Sequence, residues 1–177
     1  MDKPFFKIYV SCLASYSCGT LYGSWINVNA CDTLEDLEKA VQDMIKGSPT
    51  KGAEEYAIHG TDTLLTCIEE YTPLKDVFAM KELMEAYPET AVHLLNHYCS
   101  DLPYVTQLLE DSSYEYGTKD DFIDEYAVNS LGIPENALDY VNRDTVWNTI
   151  TTTSTAIFTH TEYIEGTFNS LDWYILC

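Results

Sequence analysis

The sequence predicts an α+β protein that is built from three small modules. Extended stretches rich in β-branched and aromatic residues lie near both ends of the chain, whereas the middle carries apolar residues at helical spacing. Of the 177 residues 46% are hydrophobic, which is enough to form cores. We place the modules at residues 1–61, 62–110 and 111–177.

The first module is predicted to be a β-β-α-β unit. Residues 6–13 suit a strand, a loop with two glycines follows, and the segment SWINV is again extended, so the chain opens with a β-hairpin. Asp32 and Glu35 have the spacing of a capping box, and the helix that they start should end at Gly47. The segment EEYAIHG predicts a closing strand.

The second module is predicted to be helical. From Thr72 onward the apolar residues recur with the helical period, and Pro73 suits the first turn of a helix. A second helix should follow Pro88, and a third should begin near Pro103. Three short helices in succession indicate a compact helical module.

The third module is predicted to be a second α+β unit. Asp120 and Asp121 are placed to cap a helix that ends near Gly132, and shorter helical turns should follow to Ile150. The segments TAIFTHT and LDWYILC are predicted to be two strands, because threonine, aromatic and branched residues favour sheets.

Charge sets this chain apart from an ordinary domain. It has 29 acidic residues against 9 Lys and Arg, a formal net charge of -20. The first module carries net -3, the second -7 and the third -10, and from Glu82 onward only Lys119 and Arg143 are basic. Such a surface repels nucleic acid and attracts proteins with basic clefts, of which nucleic-acid enzymes are the largest class.

Several classes of protein are not indicated. Lys3 and Lys7 could begin a secretory leader, but serines interrupt its apolar core, and no segment has the character of a membrane span. The six cysteines are sparse and irregular for a disulfide scaffold. We therefore expect reduced cysteines in a cytoplasmic protein that binds no membrane.

No pattern indicates catalysis or a cofactor. The chain has neither a phosphate-binding glycine loop nor a nucleophile elbow. Cys12 and Cys18 have no nearby base or helix start that would lower the pKa of a thiol, so both are interpreted as structural. Adjacent acids such as Asp120 and Asp121 could do acid-base work, but they are expected from composition alone. An enzyme is therefore not predicted.

The strongest metal candidate is the segment HLLNHYC. It places His93 and His97 one helical turn apart, with Cys99 nearby. A zinc site needs a third protein ligand and usually a fourth, and Cys99 would lie on another side of the helix. The segment DSSYEYGTKDDF departs from the calcium-loop pattern. We predict no bound metal.

The opening segment IYVSCLASYSCGTLYGSWI resembles the start of ArdA-type antirestriction proteins, in which a strand, a loop with tyrosine and glycine, and Gly-x-Trp follow in this order. The segment EEYAIH at residues 54–59 is similar to a second signature of that family, and residues 120–141 are similar to its antirestriction motif. The matching positions of the opening segment are Ile8, Tyr9, Val10, Leu13, Tyr16, Gly19, Leu21, Gly23, Trp25 and Ile26.

The chain also departs from the family pattern. After His59 the segment GTDTLL follows in place of an acidic and aromatic stretch, Asn142 and Arg143 stand where acidic and aromatic residues are expected, and the threonine-rich segment TITTTSTAIFTHT is unfamiliar in that family.

The resemblance implies an elongated three-part protein that dimerises through its C-terminal parts and imitates bent B-form DNA with surface carboxylates. It implies a type I restriction-modification enzyme as the partner, held at its DNA-binding groove so that cleavage, and often methylation, stops. An alternative is an acidic module that sequesters or regulates another basic DNA-binding protein, but acids placed on helices between apolar stripes favour a fixed template. The candidate partner-binding residues are Glu69, Glu70, Asp76, Glu82, Glu85, Glu89, Asp111, Glu115, Asp120, Asp121, Asp124, Glu125, Glu135 and Asp139.

Overall fold

The fold is α+β, as the sequence predicts. In the computed structural model the chain divides into two compact units, residues 1–105 and residues 106–177, and each contains a three-stranded antiparallel sheet. The division into three modules stays a prediction. Within the described residues no helix combines the length and apolarity needed to cross a bilayer. The structure describes residues 5–88, 90–98, 101–163 and 170–177.

The first unit opens with the predicted β-β-α-β arrangement. Strands β1 (Lys7–Cys12), β2 (Gly23–Asn27) and β3 (Tyr56–Asp62) form one sheet in the order β2-β1-β3. Ile8 of β1 pairs with Ile26 of β2, which places buried side chains of the two strands on one face. The predicted hairpin and closing strand are confirmed.

The hairpin connection contains a short helix that the sequence did not predict. Helix α1 (Leu13–Ser17) follows β1 directly, so the first strand ends at Cys12 rather than at Leu13. Cys12 is the N-cap of α1, and its Sγ accepts a hydrogen bond from the backbone N–H of Ser15. The alternation that predicts a strand cannot reveal this local side-chain bond.

Helix α2 (Leu34–Lys46) packs its apolar face on this sheet, with Leu37 and Val41 fully buried. Its N-cap is Thr33 and its capping box is closed by Asp36, so the predicted box of Asp32 and Glu35 is wrong by one residue. Two overlapping pairs have the required spacing, and spacing alone does not rank them.

The three predicted central helices are confirmed as α3 (Leu74–Ala86), α4 (Ala91–His97) and α5 (Leu102–Glu110). Pro73 is the N-cap of α3 rather than a residue of its first turn. Helix α3 buries the face that the helical period predicts, which comprises Leu74, Val77, Met80 and Met84.

The second unit contains a sheet of β4 (Glu115–Thr118), β5 (Ala156–Tyr163) and β6 (Ser170–Leu176) in the order β4-β6-β5. The two C-terminal strands are confirmed. Strand β4 was not predicted; most of it lies within the segment DSSYEYG, to which no element was assigned. Its only described partner is β6, where Tyr116 pairs with Ile175, so its extended conformation depends on residues far along the chain.

Two helices cover this sheet's core, α6 (Lys119–Asn129) and α7 (Arg143–Thr153), with a 3-10 segment at Glu135–Tyr140 between them. The predicted caps of α6 are corrected. Thr118 is the N-cap, and Asp121 closes a capping box with it, whereas Asp120 lies in the first turn without capping. The buried cluster comprises Phe122, Ile123, Val146, Ile150 and Leu176.

We expect replacement of Thr118 by alanine to destabilise the second unit. The Thr118 hydroxyl accepts the Asp121 N–H at 3.1 Å, and the Asp121 carboxylate accepts the Thr118 N–H at 3.1 Å. Loss of a threonine cap costs about 0.5–2 kcal/mol. Urea unfolding should show a loss in that range for Thr118→Ala and a clearly smaller one for Thr118→Ser, which keeps the hydroxyl. Equal losses would show that Thr118 contributes its methyl group rather than its cap.

Candidate partner-binding surface

The carboxylates of both units lie at the surface. Among the described residues, side-chain exposure is defined for 24 aspartates and glutamates; 21 are exposed, three are partly buried and none is buried. The partly buried ones are Asp76, Glu85 and Asp124. Because an unpaired charge is costly to remove from water, this distribution keeps the large negative charge hydrated and available to a partner.

The predicted contact residues are spread over several elements. Glu69 and Glu70 precede α3, while Asp111 lies just beyond α5. Glu89 lies outside the described residues. The others follow by element: Asp76, Glu82 and Glu85 on α3, Glu115 on β4, Asp120, Asp121, Asp124 and Glu125 on α6, and Glu135 and Asp139 in the 3-10 segment.

Arg143 links two of the predicted carboxylates on α6. Its Nε donates a hydrogen bond to Asp120 Oδ1 at 2.9 Å, and its Nη2 lies 2.9 Å from Asp124 Oδ1. The second contact lacks hydrogen-bond geometry, and that enclosed oxygen has no hydrogen-bond partner among the described residues, so the contact is a charge pair. The hydrogen bond with Asp120, followed by the charges of both carboxylates, raises the pKa of Arg143 despite partial burial.

The other described base of the second unit is held in the same region. Lys119 Nζ lies 3.7 Å from Asp144 Oδ1 and 5.6 Å from the centre of the Trp147 ring, so it makes an ion pair and a cation–π contact. Trp147 packs on Tyr174 of β6, with ring centres 4.8 Å apart. Both bases are therefore engaged with residues of α7 or α6, and neither offsets the remaining acids.

Two predicted contact residues of the first unit also have internal partners. Glu85 lies 3.5 Å from Nζ of the buried Lys81, which donates a hydrogen bond to the Cys31 carbonyl. Glu70 lies 3.3 Å from His59 Nε2. Among the described residues, the predicted contact acids without a cation within ion-pair distance are Glu69, Asp76, Glu82, Asp111, Glu115, Asp121, Glu125, Glu135 and Asp139.

His59 joins Glu70 to a serine. Its Nδ1 lies 2.9 Å from Ser11 Oγ, so serine, histidine and glutamate follow one another as in a hydrolase triad. Ser11 is 0% exposed, and its hydroxyl cannot reach a substrate. We interpret the chain of contacts as a polar link between β1 and β3. Sequence reasoning missed it, because the residues are far apart along the chain.

The interpretation of Cys12 needs a correction. Burial acts to raise the pKa of its thiol, but hydrogen bonds with Ser48 and Ser15 outweigh burial and lower it. Because Cys12 is the N-cap of α1, it does stand at a helix start, contrary to the prediction. It is fully buried, which separates the thiol from external reagents.

The structure describes only part of the predicted metal candidate, the segment HLLNHYC. His93 and His97 lie on α4, and the ring of His97 packs edge-on against Tyr98 at 4.6 Å. Cys99 lies outside the described residues. Within the described part of the chain, no three His, Cys, Asp or Glu side chains are grouped as a metal site.

A family described as "Antirestriction protein (ArdA)" matches residues 8–165. The chain belongs to the ArdA family of antirestriction proteins. A comparison with curated proteins gave no match.

The ArdA match includes every predicted contact acid and also Arg143. Arg143 contacts Asp120 and Asp124, which belong to the segment at residues 120–141. One cation is therefore shared between two acids of that segment.

We expect Arg143→Gln to destabilise the second unit in a salt-dependent way. The substitution leaves Asp120 and Asp124 one helical turn apart without their cation, and the side chain of Arg143 is 38% exposed. Like charges at this spacing cost a few tenths of a kcal/mol and exposed pairs contribute up to about 1 kcal/mol. The loss in unfolding free energy should be about 0.5–1 kcal/mol at low salt and smaller at high salt.

The control for Arg143→Gln is the triple variant that also carries Asp120→Asn and Asp124→Asn. It removes the repulsion together with the cation, so it should recover most of the stability at low salt. A loss that is independent of salt and unchanged in the triple variant would contradict the electrostatic role of Arg143.

Proposed function

We propose that this protein inhibits type I restriction-modification enzymes by occupying their DNA-binding groove with its surface carboxylates. Membership of the ArdA family implies an antirestriction function. The observation that carries the mechanism is the charge distribution: a net charge of -20, with 21 of the 24 acids of defined exposure exposed to solvent. A groove built to neutralise phosphates would attract this surface.

The amount of charge is suited to imitating a DNA site. Duplex DNA presents one charge per about 1.7 Å of axis, so 20 charges correspond to roughly 34 Å, or about ten base pairs. Some acids face away from any one partner, and a single chain would fall short of a full site. A homodimer doubles the available charge, and we propose that the active species is a dimer.

The proposed inhibition is a binding event that involves no chemical step. Lysine and arginine side chains of the enzyme would meet carboxylates in place of phosphates, and phosphate contacts carry no sequence information. One inhibitor could then act on enzymes that recognise different DNA sequences. We place this action in the cytoplasm, where restriction enzymes meet incoming DNA.

The fixed placement of the acids supports a template rather than a flexible acidic tail. Asp76, Glu82 and Glu125 project from helices whose opposite faces are buried. Capping boxes fix the starts of α2 and α6. An acidic chaperone usually carries its charge in disordered segments. The alternative function is sequestration of a different basic protein. It would be favoured if partner binding did not compete with DNA.

We expect neutralisation of four acids in the second unit to weaken inhibition by about tenfold or more, because each contact contributes up to about 1 kcal/mol. Asp120, Asp121 and Asp124 are left intact, because the structure gives them roles in the fold. The block variant carries Asp111→Asn, Glu125→Gln, Glu135→Gln and Asp139→Asn. DNA cleavage by a purified type I enzyme, with increasing duplex competitor at low and high salt, measures the effect.

The matched control removes the same charge from the first unit, with Glu35→Gln, Glu38→Gln, Glu54→Gln and Glu55→Gln. It should inhibit more strongly than the second-unit block, since the net charge of the chain grows toward its C-terminal part. Inhibition by the wild type should weaken as salt or duplex DNA increases. Inhibition that DNA does not relieve would rule out occupation of the groove.

We expect the purified protein to sediment as a dimer at micromolar concentration. Self-association brings two chains of charge -20 together, so salt should favour it by screening their repulsion. Sedimentation velocity at two salt concentrations measures both effects. A monomer throughout the micromolar range would contradict the dimeric template.

A further inference from the structure

One edge of the N-terminal sheet is open. Among the described residues β2 pairs only with β1. The Cys12 N–H bonds to the Tyr22 carbonyl at 2.9 Å, and the Val28 N–H bonds to the Phe6 carbonyl at 3.0 Å. Because backbone groups alternate in direction along an antiparallel strand, the even-numbered residues of β2 face β1. The odd-numbered ones face outward.

The outward groups are those of Gly23, Trp25 and Asn27. The Asn27 carbonyl accepts a hydrogen bond from the Cys31 thiol, with Sγ 3.6 Å from the oxygen. Of the two backbone groups of Asn27, the N–H is therefore the one open to an added strand. The N–H and C=O groups of Gly23 and Trp25 have no partner among the described residues. An added strand bonds to groups in this arrangement.

The opposite edge of the sheet is protected. The register of β3 shifts beside Tyr9 so that His59 is an extra residue, and the Ile58 N–H bonds to the Glu70 carbonyl at 2.9 Å. A bulge and a covering loop are devices by which proteins block an edge. Strand β2, with the sequence GSWIN, has no lysine, no proline and no bulge in its pairing with β1.

A groove of about 580 Å³ lies along the open edge. Its lining includes Trp25 and Asn27 of β2 and Ala40 of α2, together with Asp32 and Asp36 at the start of that helix. Trp25 is 52% exposed and both aspartates are exposed.

The groove is negatively charged. Burial raises the pKa of the Cys31 thiol at its wall, and the charges of Asp36 and Asp32 raise it further. Lys81 acts in the opposite direction, but it is buried and paired with Glu85 at 3.5 Å. The charged side chains that line the groove are those of Asp32 and Asp36, and both are exposed.

We propose that an extended segment of a basic partner protein adds to β2 as a fourth strand, with lysine or arginine side chains against Asp32 and Asp36. Alternate side chains of a strand point to the same side, so every second residue of the segment would be basic, and those between would lie beside Trp25. The unpaired backbone supplies the bonds, and the aspartates select the charge. This site differs from the acidic surface of the second unit, and it does not depend on the proposed inhibition.

In the test, a synthetic seven-residue peptide of alternating lysine and threonine is added to the full-length protein. At saturating peptide, amide exchange at Trp25 and Asn27 should slow by about tenfold or more, because their N–H groups become bonded. The amides of Ser24 and Ile26, already bonded to β1, should change little. This odd-numbered pattern distinguishes strand addition from general attraction between a cationic peptide and an acidic protein.

Two matched comparisons complete the experiment. Asp32→Asn should weaken peptide binding by about two- to fivefold, whereas Asp43→Asn, which lies on α2 but does not line the groove, should leave it unchanged. A peptide with proline in place of its central threonine should bind more weakly, because proline lacks the N–H. Equal effects of the two aspartate variants, protection without the odd-numbered pattern, or no binding at millimolar peptide would each overturn the proposal.

Discussion

The constraint on which the rest of the structure depends is repulsion among carboxylates in a chain with few bases. Most of the described acids are exposed to water, and some of the described cations are paired with acids. Arg143 lies between Asp120 and Asp124 on successive turns of one helix, and the buried Lys81 is paired with Glu85. Small cores supply only a few kcal/mol of net stability, so unrelieved repulsion at a few such places would be a large fraction of the total.

Some of the acids also stabilise the fold directly. Asp36 and Asp121 occupy the third positions of α2 and α6, where each carboxylate accepts the N–H of the capping threonine. A negative charge in the first turn also interacts favourably with the helix dipole. The same residue type thus produces the surface charge and fixes the helices that carry it, and a change at a capping acid would alter both. Acids without internal partners are the better reporters of partner binding.

Local patterns predicted most elements, and they missed β4, whose partner is distant, and α1, which depends on a local side-chain bond. Helical periodicity located α3 to α5, and β-branched segments located β5 and β6, because burial of one face follows that period. Strand β4 was missed since its partner is at the other end of the second unit. The acidic surface follows from composition, but the link of His59 to Ser11 and Glu70 does not, because folding alone brings these residues together.

In the proposed template, Arg143 makes charge and rigidity compete. It lowers the negative charge near α6 by one, which would weaken long-range attraction to the basic groove of the proposed partner. It also joins α7 to two turns of α6, so the positions of two carboxylates are held by contacts rather than by repulsion. Preformed geometry reduces the entropy lost on binding. Removal of the arginine would therefore increase the charge of the surface and loosen the arrangement of that charge, and these changes act on affinity in opposite directions.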